Sequence, residues 1–289
     1  MSGLVAPGPG VGDGAVGLEF GPYRISVATS FGPRVVGLRL GDGPEMLARL
    51  SPEVVIDRPD SGIYRFHGGH RLWAAPEVPA VTYAPDDHRC DVVSGSDEVS
   101  ITGPVDRAGL AKTIVVRLRD GRLVVDHILA NDGPATWEVA PWAITQLGLG
   151  GTVLMPTGRP APQGLQATHS LVLWPYTDLS DPRLTWLERA LAIDAVAGSQ
   201  FKVGAGPAPG RLGYLLEGHL FTKDIPPGGA GDYPDRGAVA QVYLNDSFCE
   251  LESVGPVANL APGSEVSHRE VWAVETCDRL DDAYRRVVG

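Results

Sequence analysis

Hydrophobic and polar residues alternate along much of this chain with a period of two, as in strands that bury one face. Tyr23, Ile25 and Val27 alternate with Arg24 and Ser26, Gly32-Pro33 interrupts the run, and the strand pattern resumes over 34–40. An aromatic and histidine-rich stretch at 63–83 precedes strand-like runs at 89–93, 99–102, 111–118 and 122–129. Asp120-Gly121 supplies a two-residue hairpin turn between the last two, and Asn131-Asp132-Gly133-Pro134 ends that hairpin before a strand from Thr136. Residues 156–211 are less regular and predict a single short helix over 181–191. Strands follow at 213–220, 237–244, 248–253 and 266–275, and the spacing of Leu280, Ala283, Tyr284 and Val287 predicts a closing helix. Residues 1–16, built from Gly, Pro, Ala and Val, read as a flexible start, and 17–289 as one domain. The pattern predicts an all-β protein, a two-sheet sandwich of antiparallel strands.

Composition narrows the functional classes. A net charge of −11 argues against nucleic acid as the main partner. The three cysteines, Cys90, Cys249 and Cys277, have no CxxC spacing and suggest neither a disulfide framework nor a structural zinc site. The N-terminus lacks the basic region and apolar core of an export signal, and no apolar run is long enough to span a bilayer. A cytoplasmic protein that does not engage a membrane is the expectation. Neither a phosphate-cradling loop nor a nucleophile elbow is present, and no cofactor is expected.

The sharpest chemical feature is a pair of glutamates. In a strand over 248–253, Phe248, Glu250 and Glu252 share one face, while Cys249, Leu251 and Ser253 share the other. Two carboxylates with apolar residues behind them belong either to solvent or to a polar pocket. If they share a pocket, each disfavours ionisation of the other, which raises the pKa of one of the two. Around Gly68-Gly69 stand His67, His70, Arg71 and Trp73. Lys202 and Lys223, two of only three lysines, each follow a Phe or Thr in an aromatic setting and suit either a pocket or a snorkelling role. Trp73, Trp142 and Trp174 could stack on the apolar face of a sugar or fill a core. His127, flanked on its strand face by Val125 and Leu129, reads as a core histidine. Asp178, Asp181 and Arg183, like Tyr233, Asp235 and Arg236, read first as turn residues. A His/carboxylate metal site built from His67, His70 and the two glutamates is an alternative, but the spacing is not a specific metal signature and no metal is expected.

Leu251-Glu252-Ser253, then Leu260-Ala261-Pro262-Gly263, then the strand from His268 to Val274, resemble the C-terminal part of galactose mutarotase-like (aldose 1-epimerase-like) proteins. GPRVVGLRL is similar to that superfamily's early strand pair, and GGHRLWAAPE to a Gly-Gly segment lining the sugar pocket of related epimerases. Together with WPYTDLSDPR, FKVG, FTKD and YPDRG, these pieces are similar to a bacterial branch of the superfamily, over nearly the whole chain from Leu18 to Val274. The resemblance implies a β-supersandwich with a sugar-sized cleft on the concave face of one large sheet. It implies a small-molecule carbohydrate ligand and Glu252 as the base that opens a pyranose ring. The family's histidine acid belongs in the segment Pro141–Leu147, which holds no His. His70 is then the expected acid, with Glu250, His67, Arg71, Trp73, Trp142, Lys202 and Lys223 around the sugar. One of His67, His70 or His127 facing Glu252 across a sugar ring's width would support the acid–base reading, and histidines all turned away from the glutamates would count against it. The alternative is a carbohydrate-binding or sensing protein that has kept the cleft and lost the acid.

Overall fold

The computed structural model describes residues 14–59, 62–158, 165, 169–206, 210–225 and 231–289. Expectations falling on residues 1–13 lie outside them, and residues 15 and 16, expected to be flexible, already belong to a strand. The first third of the chain forms β1 (Ala15–Phe20), β2 (Tyr23–Ala28), β3 (Arg34–Leu40), β4 (Val55–Arg58), β5 (Gly62–Arg65), β6 (Gly69–Ala75), the single-turn α1 (Pro79–Thr82), β7 (Asp91–Ser94) and β8 (Glu98–Thr102). The middle third adds β9 (Leu110–Arg119), β10 (Arg122–Asn131), β11 (Trp137–Leu147), β12 (Thr152–Pro156), β13 (Leu171–Leu173), β14 (Leu184–Trp186) and β15 (Ala190–Asp194). The last third contributes β16 (Phe201–Ala205), β17 (Arg211–Leu216), β18 (His219–Asp224), the short α2 (Pro234–Gly237), β19 (Ala240–Leu244), β20 (Cys249–Val254), β21 (Ala258–Leu260), β22 (Glu265–Thr276) and α3 (Leu280–Val288).

Two ten-stranded sheets, antiparallel at each pairing, stack face to face. Sheet one runs β1-β2-β3-β6-β11-β20-β19-β16-β13, with β21 also on β11; sheet two runs β14-β15-β12-β17-β18-β22-β10-β9-β8-β7. Leu72, Leu251, Val242 and Phe201 of sheet one meet Ile114, Val125, Leu212 and Phe221 of sheet two in the main core. The helix α3 covers the outside of sheet two, burying Ala283 and Val287 against Leu154 and Leu220. The outside of sheet one carries an aromatic layer of Tyr64, Phe66, Trp73, Tyr83, Trp142 and Phe248, on which the small β4–β5 hairpin rests through Ile56 and Tyr64. Among the described residues no helix is long and apolar enough to cross a membrane.

Local expectations met different fates. Asp120 and Gly121 both take positive φ in the β9–β10 turn, and the closing helix forms. The run 213–220 is not one strand, because Glu217 and Gly218 take positive φ and fold β17 onto β18. The helix expected over 181–191 is absent. Asp181 instead accepts from the Arg183 backbone and guanidinium, closing a turn that feeds β14 onto β15.

The middle of the core is polar. On sheet two, Lys223 and Glu270 form an ion pair of 2.8 Å with no exposed surface on either side. Glu270 also accepts from Trp272 Nε1 (2.8 Å) and from the Ser253 hydroxyl, while Lys223 donates to the Leu251 carbonyl at 2.9 Å. The hydrogen bonds fix the imidazole tautomers. The His268 carbonyl can only accept, so His127 Nδ1 carries the proton (3.0 Å) and Nε2 is a lone pair. His70 Nε2 therefore donates to His127 (2.6 Å), and His70 Nδ1 accepts from Thr145 at 2.9 Å. Ser253 spends its single O–H on Glu270 and accepts from His268 Nε2 at 2.7 Å. Burial and the neighbouring cations hold His70 well below the usual imidazole range. Burial lowers His127 as well, and brings His268 down to about 4. Burial alone would raise Glu270; Lys223, His127 and His268 together outweigh it and hold the carboxyl low.

Groups whose folded pKa is depressed stabilise the fold above their unfolded pKa and lose that stabilisation as pH falls. For these histidines the loss runs from about 6.5 downward, through about 4 for His268. The urea midpoint should therefore fall steadily as pH is lowered across that window; a flat profile would show that the interior histidines are charged in the folded protein.

Candidate functional site

Strand pairing places a second polar group on the outer face of sheet one. Ile144 lies opposite both Arg71 and Glu252, Gln146 opposite Glu250, and Trp142 opposite Trp73. On the other side of β20, Gln241 lies opposite Glu252 and Tyr243 opposite Glu250, with Lys202 next to Tyr243. Side chains directly opposite each other share a face, so Arg71, Trp73, Trp142, Gln146, Lys202, Gln241, Tyr243, Glu250 and Glu252 form one surface.

Two ion pairs anchor it. Arg71 Nη2 donates to Glu250 Oε1 at 2.9 Å, with its guanidinium over Trp73 and Phe66. Lys202 Nζ donates to Glu252 Oε2 at 3.0 Å, and Trp142 Nε1 donates to the same oxygen at 2.8 Å. The ammonium sits 4.9 and 4.8 Å from the Trp142 and Trp174 ring centres, a favourable cation–π arrangement. Gly204 packs close to both neighbours: a Cβ there would lie 2.7 Å from the Ala238 Cβ and 3.3 Å from the Trp174 indole. Thr177 holds the turn in place, donating to the Lys202 carbonyl and accepting from the Trp174 N–H. Glu252 is fully buried and Lys202 only 6% exposed. Burial pushes the Glu252 carboxyl upward; Lys202 pulls it down and Glu250 pushes it up again, for a net rise.

Six buried polar atoms on this surface have no hydrogen-bond partner among the described residues: Arg71 Nε and Nη1, both amide atoms of Gln146, Gln241 Oε1 and Glu252 Oε1. Three such atoms lie elsewhere among the described residues, on Arg58, Asp86 and Arg189. Tyr176, 41% exposed, stands within reach of the same charges: burial raises its phenol, and Tyr243, Glu252, Glu77 and Glu250 add to the rise.

The expected residues divide between two faces. Glu252, Glu250, Arg71, Trp73, Trp142, Lys202 and Trp174 come together. His70 and Lys223 do not: the period-two alternation of β6 that points Arg71 outward points His70 into the interior, and Lys223 likewise joins Glu270 there. Neither can touch a sugar on the Glu252 side, so His70 is not the acid facing the base. His67 bonds Asp87 at 2.7 Å and stacks on Phe31. Gly68 and Gly69 serve close contact with the Ala48 and Val35 backbones, not with a ligand: a Cβ would lie 2.1 and 2.3 Å from their carbonyl oxygens. His127 is a core histidine. His70, His127 and Glu270 have ligand atoms within 4.8 Å of one another, but their lone pairs already accept hydrogen bonds, and a cation would lie beside Lys223. Gln146, Gln241, Tyr243 and Tyr176 were not anticipated. The signal for Gln241 was its place as the lone polar residue in AVAQVYL.

No family model matches the sequence, and no curated protein matches it. Solved structures do match. A galactose mutarotase-like protein from Lactobacillus casei aligns over 91% of this chain and 100% of its own, at 12% identity and a TM-score of 0.60. A galactose mutarotase related enzyme from Lactobacillus acidophilus aligns over 92% and 99%, at 10% identity and 0.55. A galactose mutarotase-like protein from Clostridium acetobutylicum aligns over 91% and 95%, at 10% identity and 0.54. The chain has the galactose mutarotase-like fold.

Removing one partner of a buried ion pair strands the other's charge at a cost of about 3–5 kcal/mol. Arg71→Leu should destabilise by that order in urea denaturation, and Arg71→Leu with Glu250→Leu should recover most of the loss. A loss in the double variant equal to the sum of the Arg71→Leu and Glu250→Leu losses would show that Arg71 and Glu250 do not act as a pair.

Proposed function

We propose that the outer face of sheet one binds a carbohydrate and that Glu252 is the base that interconverts its anomers. The observation that carries this reading is the set of six unpaired polar atoms on Arg71, Gln146, Gln241 and Glu252. They mix donors with acceptors, and a buried polar atom left unpaired costs about 1–3 kcal/mol. Sugar hydroxyls both donate and accept and so complement such a set. Trp142, Trp174 and Tyr243 add rings of the kind that stack on a pyranose. The mutarotase-like fold is consistent with a sugar ligand.

In the reaction, Glu252 Oε1, the oxygen free of partners, takes the proton from the anomeric hydroxyl. The elevated carboxyl pKa suits a base that must hold this proton and return it. As C1=O1 forms, the C1–O5 bond breaks and O5 takes up a proton; the C1–C2 bond rotates, and O5 closes on the opposite carbonyl face, giving up that proton while O1 recovers the one held by Glu252.

A second reading, a carbohydrate-binding protein without catalysis, is favoured by one observation: β11 carries Trp142 and Ile144 with no histidine, and His70 faces inward.

Exchange NMR on a panel of aldoses should show anomer interconversion above the buffer rate for at least one sugar. Glu252→Gln should lower that rate by about 100-fold or more while sugar binding, read from tryptophan fluorescence, persists. Binding without acceleration of any sugar would establish the second reading, and absence of both would sink the site.

A further inference from the structure

Opening a pyranose needs an acid for the ring oxygen as well as a base for the anomeric hydroxyl, and the interior histidines cannot supply it. Glu252 accepts hydrogen bonds from Trp142 and Lys202. An indole N–H is far too weak an acid to protonate a leaving alkoxide, whereas an ammonium is a Brønsted acid strong enough to do so. We propose that Lys202 is the general acid of this site, protonating the ring oxygen while Glu252 deprotonates the anomeric hydroxyl. The inference rests on the anomer-interconverting reading above.

Three features of the geometry carry it. The anomeric and ring oxygens are bonded to one carbon, so their two catalysts must also be neighbours; the Lys202 Nζ–Glu252 Oε2 distance is 3.0 Å. Lys202 uses one proton on Oε2 and has two more, while Oε1 of the same carboxylate is unpartnered. The position is also built: Trp142 and Trp174 flank the ammonium, and the Trp174–Thr177 turn is tied to the Lys202 backbone.

The proton balance suits a dry site. Glu252 carboxylate takes the O1 proton as the C1–O5 bond breaks and C1=O1 forms, and O5 takes a proton from the Lys202 ammonium. The result is an open-chain aldehyde beside a neutral carboxylic acid and a neutral amine. After rotation about C1–C2, O5 attacks the other face of the carbonyl and returns its proton to the amine, while O1 recovers the proton from Glu252. The ion pair is discharged in the intermediate and restored at the end. No unpaired charge is left in the buried site at either stage, which avoids the large cost of an isolated buried ion.

Two variants test this on an aldose that the wild-type protein interconverts. Lys202→Arg keeps a cation for Glu252 but holds its proton far more tightly. It should lose about 100-fold or more in kcat while sugar binding stays within a few-fold. Lys202→Ala should regain rate in proportion to added methylammonium and not with tetramethylammonium, which brings charge without a proton. Wild-type kcat in Lys202→Arg, or equal rescue by the two ammonium ions, would overturn the assignment and leave Lys202 as a counter-ion. A wild-type protein that binds aldoses but interconverts none would instead remove the catalytic reading itself, which keeps the two failures apart.

Discussion

A carboxylate with no solvent contact must find a cation or give up its charge, and the Glu252 side of the molecule is organised around that demand. Lys202 meets it from β16, two strands away across β19. Trp142 and Trp174 flank the ammonium there, and Gly204 packs against Trp174 and Ala238. Arg71 solves the same problem for Glu250 from the opposite side, through β6. The demand is met only in part, because one oxygen of Glu252 and much of the Arg71 fork remain unpaired. A purely structural ion pair would have its polar atoms paired, whereas Glu252 Oε1 has no partner among the described residues.

The two sheets obey the same electrostatics at their contact. Lys223 and Glu270 could not lie between them unless serine, indole and backbone groups took up the remaining valences. With those groups in place, the histidine rings nearby are held neutral and donate along a defined direction. Polar chemistry therefore occurs on both faces of sheet one at its centre. The interior set is saturated and the outer set is not, which separates a structural network from a candidate site more clearly than residue type does.

Much of the architecture was legible in the sequence because period-two alternation and turn residues are local. The two-sheet class, the 9–10 hairpin at Asp120-Gly121 and the closing helix follow from nearest neighbours. The pairing of Glu250 with Glu252 and their shared face were legible for the same reason. Which lysine reaches which glutamate was not: Lys202 and Lys223 have nearly identical settings, and only the strand order sends one to the outer face and the other inward. His70 failed for a related reason. Its neighbour Arg71 carries the same polar signal beside Gly68-Gly69, yet adjacent residues on a strand cannot both serve one face. Gln146 and Gln241 gain meaning only from the residues opposite them, which the chain alone does not reveal.

The adjacency of His70 with Arg71, and of Glu252 with Ser253, bears on how faithfully the chain folds. A slip of one residue in β6 or β20 would turn every side chain to the opposite face. In a sheet patterned only by apolar residues that error costs hydrophobic burial. Here it would also thrust Arg71 and Glu252 among the interior imidazoles and Lys223, and strand His70 and Ser253 outside. Charge thus acts as a proofreading device for the central strands, penalising a misthreaded sheet more heavily than greasy packing could.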